Sequence, residues 1–83
     1  MTKEEIQAKR KASAEFDAGY RETEDSEVPA RILTMGLERA YQSIYEGYLA
    51  LMANHHRSDF DGGVLAAYLE FLRRHEHLKH GAH

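Results

Sequence analysis

The chain has no cysteine and no tryptophan, and proline occurs once in its 83 residues. The absence of cysteine excludes disulfides and thiolate metal ligands. A domain this short must then be stabilised by helical packing, by a histidine and carboxylate metal site, or by self-association. The densest apolar run, YEGYLALMA, is too short to span a bilayer, and the first residues lack the apolar core of a signal peptide. We therefore expect a soluble, cytoplasmic protein, since the lack of cysteine also fits a reducing compartment.

Acidic and basic residues balance each other everywhere except in one short acidic stretch. The net charge is −3, and residues 21–27, RETEDSE, account for all of it with four acids and one base. A nucleic-acid binder needs a concentrated basic face for phosphate contacts, and only Lys9, Arg10 and Lys11 approach one. A nucleic-acid regulator that uses these three residues is therefore an alternative function, and nucleic acid is not the expected partner.

Three stretches with the apolar periodicity of helices predict an all-α fold. Thr2 and Glu5 form a capping-box pattern and Gly19 is a natural stop, which predicts a first helix over residues 3–18. The apolar face of this helix is thin, because it contains only three large side chains. Residues 1–20 are thus expected to form an N-terminal helix or arm.

The remainder of the chain is predicted to be an acidic linker, residues 21–28, followed by a helical hairpin, residues 29–83. Apolar residues cover about half of the circumference of a helix at 30–54. Ser58 caps a second helix that extends to about residue 79. The connection between them is so short that the two helices must run antiparallel.

The apolar arcs of the hairpin are too wide for one neighbouring helix to cover. The thin N-terminal helix cannot supply the cover, which favours a homodimer or another helical-bundle homo-oligomer and leaves the N-terminal arm mobile. A row of small residues with heptad spacing predicts a close helix crossing in that interface. Tyrosines beside this row suit either the hairpin core or an exposed binding strip. The small residues are Gly36, Ala40, Ser43, Gly47, Ala50 and Asn54, and the tyrosines are Tyr41, Tyr45, Tyr48 and Tyr68.

Two histidine-containing segments are candidate metal sites, because imidazole and carboxylate ligands suit zinc, nickel, manganese or iron. The candidate ligands are His55, His56 and Asp59 at the helix corner, and His77 and His80 near the C terminus. Their spacing matches none of the strong metal-binding motifs, and an aspartate in the first turn of a helix also complements the helix dipole. A metal-binding protein is an alternative function, and no cofactor is expected.

No catalytic constellation is recognisable in the sequence. It contains no glycine-rich phosphate loop and no nucleophile elbow, and its serines suit caps, the linker or packing. A chain of this length also has little room for a water-excluding pocket. The predicted function is a non-enzymatic interaction protein, such as an adaptor, regulator or inhibitor, that binds another macromolecule through helical surfaces.

Overall fold

The computed structural model describes residues 1–80, except for the side chain of His80. All regular secondary structure in this part of the chain is helical, so the predicted all-α fold is confirmed. The elements of residues 1–80 are α1 Lys3–Ala12, α2 Ala14–Glu22, a π-helical turn Thr23–Glu27, α3 Val28–Met35, α4 Leu37–Ala53, α5 Asp59–Arg74 and a 3-10 turn Glu76–His80.

Side-chain caps begin α1 and α5 where the sequence predicts them. Thr2 Oγ1 accepts a hydrogen bond from the Glu5 backbone N–H at 3.2 Å, and Glu5 Oε1 accepts one from the Thr2 N–H at 3.3 Å. Ser58 Oγ accepts a hydrogen bond from the Asp61 N–H at 3.1 Å. These bonds satisfy donors that a helix leaves unpaired in its first turn, and they confirm both predicted helix starts.

The predicted single helix over residues 3–18 is wrong, because the chain breaks at Ser13. Ser13 has an extended backbone, with φ −137° and ψ 117°, and its hydroxyl accepts a hydrogen bond from the Phe16 N–H at 3.1 Å. A serine hydroxyl competes with helix continuation in this way because it can replace a helical partner of the backbone. The break lets Ile6 of α1 and Phe16 of α2 enter the same core cluster.

Gly19 does not end the first helix as predicted, but lies inside α2 at a close crossing with α5. A methyl group on Gly19 would lie 2.1 Å from the carbonyl oxygen of Phe60. One on Gly63 would lie 2.0 Å from the carbonyl oxygen of Phe16. Both distances are far shorter than van der Waals contact, so only glycine allows these two backbones to approach. A close crossing of small residues therefore exists within one chain, between α2 and α5.

The N-terminal helices are part of the core, which contradicts the mobile arm predicted for residues 1–20. Ile6 is fully buried, and Phe16 and Tyr20 are 6% and 7% exposed. They pack with Ala66 and Ala67, whose small side chains leave room for the two aromatic rings. Three large side chains are sufficient here because the glycine crossing brings α5 so close to α2.

Residues 21–28, predicted as an acidic linker, are helical. α2 passes into α3 through the π-helical turn, in which the Val28 N–H donates to the Thr23 carbonyl oxygen. The additional residue in this turn lets Thr23 and Val28 both face the core, where they are 1% and 6% exposed. Pro29 follows directly, and helices commonly distort next to a residue that has no N–H to donate. Repulsion among the four acids is limited because Glu22 and Asp25 are exposed, while Glu24 pairs with the Arg74 guanidinium at 3.2 Å and Glu27 with that of Arg31 at 2.6 Å.

The predicted helix over residues 30–54 is interrupted at Gly36. Its φ of 84° lies in the left-handed region that favours glycine, and its N–H donates to the Ile32 carbonyl oxygen at 2.9 Å. The positive φ of Gly36 ends α3, and α4 begins at the next residue. The predicted third helix is also shorter than expected, since α5 ends at Arg74 and only a 3-10 turn follows.

α4 and α5 form the predicted antiparallel hairpin, joined by residues 54–58. The Tyr41 ring lies 6.3 Å from the Phe71 ring, and Gly47 lies against the Tyr68 ring, so positions on the two helices advance in opposite directions. The three aromatic residues belong to the second core cluster, whose buried members are Val28, Tyr41, Ile44, Tyr68, Phe71 and Leu72.

Candidate functional site

The candidate metal ligands at the helix corner, His55, His56 and Asp59, are exposed, and two of them make hydrogen bonds within the chain. The His56 N–H donates to Asn54 Oδ1 at 3.0 Å, and Asp59 Oδ2 accepts a hydrogen bond from Ser13 Oγ at 3.1 Å. Arg57 donates to the Leu51 carbonyl oxygen at 2.8 Å, where it caps the end of α4. These bonds give the corner a structural role that needs no metal ion.

The C-terminal histidines are not brought together with a third ligand in the described part of the chain. His77 is exposed, and the side chain of His80 lies outside the described atoms. The His75 ring packs on the Phe71 ring with centroids 4.6 Å apart. Burial, and then the neighbouring Arg74 charge, lower the pKa of His75 from its ordinary value of 6.5. Among the described side chains of residues 1–79, no three from histidine, aspartate or glutamate are placed to hold a metal ion.

The residues predicted to form an interface separate into buried and exposed groups. Ala40, Tyr41 and Tyr68 are at most 4% exposed and lie inside the single chain, where a second molecule cannot reach them. Gly47 faces the Tyr68 ring, since a methyl group there would lie 3.1 Å from Tyr68 Cε2. Ser43 accepts a hydrogen bond from Arg31 Nη1 at 2.9 Å. Gly36, Ala50 and Asn54 are exposed, Tyr48 is half-buried and Tyr45 is exposed.

An exposed apolar stripe runs along the outer side of α4. It consists of Tyr45, Leu49 and Met52, which are 37%, 48% and 48% exposed. Their spacing of four and three residues places them on one side of the helix. We call these three residues the α4 strip. The sequence pattern includes Leu49 and Met52 in the apolar half of the helix but does not separate this outer stripe from the buried face.

A groove between α4 and α5 lies beside the α4 strip. It has a volume of about 570 Å³ and an apolar floor that includes Tyr48, Leu69 and Leu72. Arg73, Glu76 and Lys79 line its other side. The groove and the α4 strip share Tyr45, so together they form one continuous surface that is apolar in the middle and charged at the edges.

The basic cluster at residues 9–11 is divided by the fold. The Arg10 guanidinium lies 4.2 Å from the centroid of the Tyr20 ring, and its Nε donates to Asp17 Oδ1 at 2.6 Å. The Tyr20 hydroxyl in turn donates to Glu70 Oε1 at 2.8 Å. Burial, and then this hydrogen bond, raise the pKa of Tyr20 to about 12. Arg10 therefore ties α1 to α2, and only the exposed Lys9 and Lys11 are left for phosphate contacts.

We expect Arg10→Ala to lower the free energy of unfolding by about 1 kcal/mol, because it removes a cation–π contact and a charge-assisted hydrogen bond. Urea titration followed by circular dichroism measures this loss. Lys9→Ala and Lys11→Ala are matched controls, and each should change the free energy of unfolding by less than about 0.5 kcal/mol. Equal effects of all three substitutions would contradict a structural role that is specific to Arg10.

A polar network joins the π-helical turn to α3, α4 and α5. Glu27 Oε1 accepts hydrogen bonds from the Tyr68 hydroxyl and, at 2.6 Å, from Arg31 Nη2. Arg31 also reaches Ser43, as described above. Burial, and then the bond to Glu27, raise the pKa of Tyr68 above its ordinary value of 10. A tyrosine with a raised pKa stays protonated near neutral pH, so this arrangement supports packing and does not provide a catalytic base.

Comparison of the chain with protein-family models, with curated proteins and with solved structures finds no match. Within residues 1–80, no helix is both long enough and apolar enough to cross a membrane. The surfaces described above are therefore the basis for assigning a function.

Proposed function

We propose that the chain is a non-enzymatic interaction protein that forms a homodimer through the α4 strip and presents its other helical surfaces to a macromolecular partner. The main support for this proposal is the α4 strip itself, in which three large apolar side chains are each more than one-third exposed. Contiguous exposed apolar surface of this kind marks interaction sites. A cytoplasmic location stays a prediction.

The charges beside the α4 strip favour a second copy of the chain as its occupant. On α4 the exposed acids Glu38 and Glu46 outnumber the exposed base Arg39, while Arg73 and Lys79 outnumber Glu76 in the lining of the adjoining groove. A two-fold axis parallel to α4 would place the acidic edge of one copy against the basic edge of the other. A two-fold interface must be self-complementary in this way.

The groups with shifted pKa values favour binding over catalysis. Tyr20 and Tyr68 donate to carboxylates of their own chain, and His75 packs on Phe71. Functional sites collect perturbed groups in one cleft, whereas Tyr20 and Tyr68 lie in different core clusters and His75 is partly exposed at the end of α5. They account for stability and suggest no reaction.

The experiment is the solution mass of the untagged protein, measured by light scattering after gel filtration at low micromolar concentration in EDTA. We expect a dimer for the wild type and a monomer for Leu49→Glu, because the substitution would bury a charge in the centre of the interface. Leu33→Glu is the matched control. Leu33 is 88% exposed and belongs to α3, so this variant should stay dimeric.

A wild-type monomer would contradict the homodimer, and a dimer that survives Leu49→Glu but not Leu33→Glu would place the interface elsewhere. Circular dichroism of each variant distinguishes loss of association from loss of folding. Association that requires added zinc would instead support the metal-binding alternative.

A further inference from the structure

A second groove lies between the π-helical turn and the first turns of α5, separate from the α4 strip. It has a volume of about 370 Å³. We call it the π-turn groove, and its lining residues are Glu22, Thr23, Ser26, Glu27, Phe60 and Val64. π-Helical turns inside α-helices occur frequently at functional sites.

The floor of the π-turn groove is apolar and rigidly placed. Phe60 is 36% exposed although it lies one residue into α5, and Val64 is half-buried one helical turn later. The backbone of Phe60 is fixed by the crossing, because its carbonyl oxygen lies so close to Gly19 that no side chain fits between them. An exposed aromatic ring on a fixed backbone can bind a partner with little loss of conformational entropy.

The rim of the π-turn groove is acidic. Glu22 lines it directly, Asp25 lies on the next exposed position, and neither forms an ion pair within residues 1–80. Three arginines pair with other acids: Arg31 with Glu27 at 2.6 Å, Arg74 with Glu24 at 3.2 Å and, more weakly, Arg21 with Asp17 at 3.9 Å. None of the lining residues is basic. The stretch that carries the net charge of the whole chain is thus placed at the edge of an apolar groove.

We propose that the π-turn groove is a docking site for an arginine-bearing apolar segment of a protein partner. A guanidinium group can stack on the face of Phe60 while it donates hydrogen bonds to the Glu22 carboxylate, and the adjacent apolar side chains of such a segment cover Val64. Arginine suits this place better than lysine, because its planar group both stacks on a ring and pairs with a carboxylate. This inference does not depend on the dimer, which uses a different surface.

The test uses a defined probe, the acetylated and amidated peptide LRRLLRRLLRRL, added to ¹⁵N-labelled full-length protein. We expect amide chemical shifts to change at residues 22–27 and 60–64. Binding should weaken as salt is raised, because charge pairs at a surface are screened. The same peptide with glutamate in place of every arginine should cause no change at these residues.

Two pairs of matched variants identify the contacts. Glu22→Gln and Phe60→Ala should each weaken binding of the probe by about fivefold or more, since each removes one of the two proposed contacts. Glu4→Gln and Leu33→Ala are the controls, because Glu4 is exposed on α1 and Leu33 is 88% exposed on α3, and neither belongs to the α4 strip or lines the π-turn groove. Neither control should weaken binding at the π-turn groove.

Shift changes confined to the α4 strip, or equal affinities for wild type, Glu22→Gln and Phe60→Ala, would overturn the proposal. Thermal melts of the variants identify any that fail to fold. If a variant fails to fold, the chemical-shift changes of the wild type still test where the peptide binds. If the peptide does not bind in the π-turn groove, the measurement of the solution mass still tests the homodimer. The dimer and the docking site are therefore tested separately.

Discussion

Gly63→Ala is expected to lower the free energy of unfolding by about 3 kcal/mol, at the upper end of the range for overpacking a core. The added methyl group would lie 2.0 Å from the Phe16 carbonyl oxygen and 2.7 Å from the Tyr20 backbone nitrogen. Both neighbours are backbone atoms, so no side-chain rotation can relieve the clash and α2 must move away from α5. Urea denaturation followed by circular dichroism measures the loss.

Gly62→Ala is the control for this prediction, because it makes the same chemical change at the adjacent position. Its methyl group would lie 3.3 Å from Phe16 Cδ2, which belongs to a side chain that can shift by a few tenths of an ångström. Alanine also favours the helix by up to about 1 kcal/mol over glycine, so this variant should be within about 1 kcal/mol of the wild type. Similar stabilities of the two variants would mean that α2 and α5 do not meet at Gly63.

Helix ends with side-chain caps could be predicted from the sequence, because a cap depends on residues only three positions apart. Thr2 with Glu5, and Ser58 before Asp61, are local patterns with one favourable arrangement. The hairpin followed from the short connection between two long apolar periodicities. The sequence alone therefore indicated the fold class and the antiparallel pairing of α4 with α5.

The close approach of α2 to α5 could not be predicted, because it depends on pairing Gly19 with Phe60 and Gly63 with Phe16 across more than 40 residues of sequence. Without that pairing, Gly19 resembles a helix stop and three apolar residues appear too few for a core. The π-helical turn is unpredictable from the sequence for a related reason. The polar composition of residues 21–27 suggests a solvated linker, and the burial of Thr23 becomes evident only when α5 is in place.

Only part of the candidate interaction surface can be predicted from the sequence. Of the tyrosines predicted to form an interface, Tyr45 is exposed, but Tyr41 on the same helix and Tyr68 on α5 are buried inside the chain. Periodicity gives the direction of a side chain on its own helix, but it does not say how far a neighbouring helix extends. Phe60 shows the same limit, since it shares its direction with Phe71, which is 1% exposed, and is itself 36% exposed.

Glu27→Ala is expected to lower the free energy of unfolding by about 2 kcal/mol, although residues 21–28 have the composition of a linker. The substitution removes the shared acceptor of the Tyr68 hydroxyl and the Arg31 guanidinium. Tyr68 is 4% exposed, so its hydroxyl would be left with fewer partners in a place that water reaches poorly. Chemical denaturation at pH 7 measures the effect. Asp25→Ala, at an exposed acid of the same turn, is the control and should change stability by less than about 0.5 kcal/mol.

The pH dependence of stability provides an independent check on the same network. The Tyr68 pKa is raised in the folded protein, so the unfolded chain loses this proton first as the pH rises above 10. The stabilising contribution of the protonated hydroxyl is therefore complete below pH 10 and is lost progressively above it. Tyr68→Phe should lose less stability than the wild type between pH 10 and pH 11, because the variant has no hydroxyl at this position to lose a proton. Parallel curves for Tyr68→Phe and the wild type would mean that folding does not raise the Tyr68 pKa. That result would contradict a buried hydrogen bond from the Tyr68 hydroxyl to Glu27, which is the bond that Glu27→Ala is expected to remove.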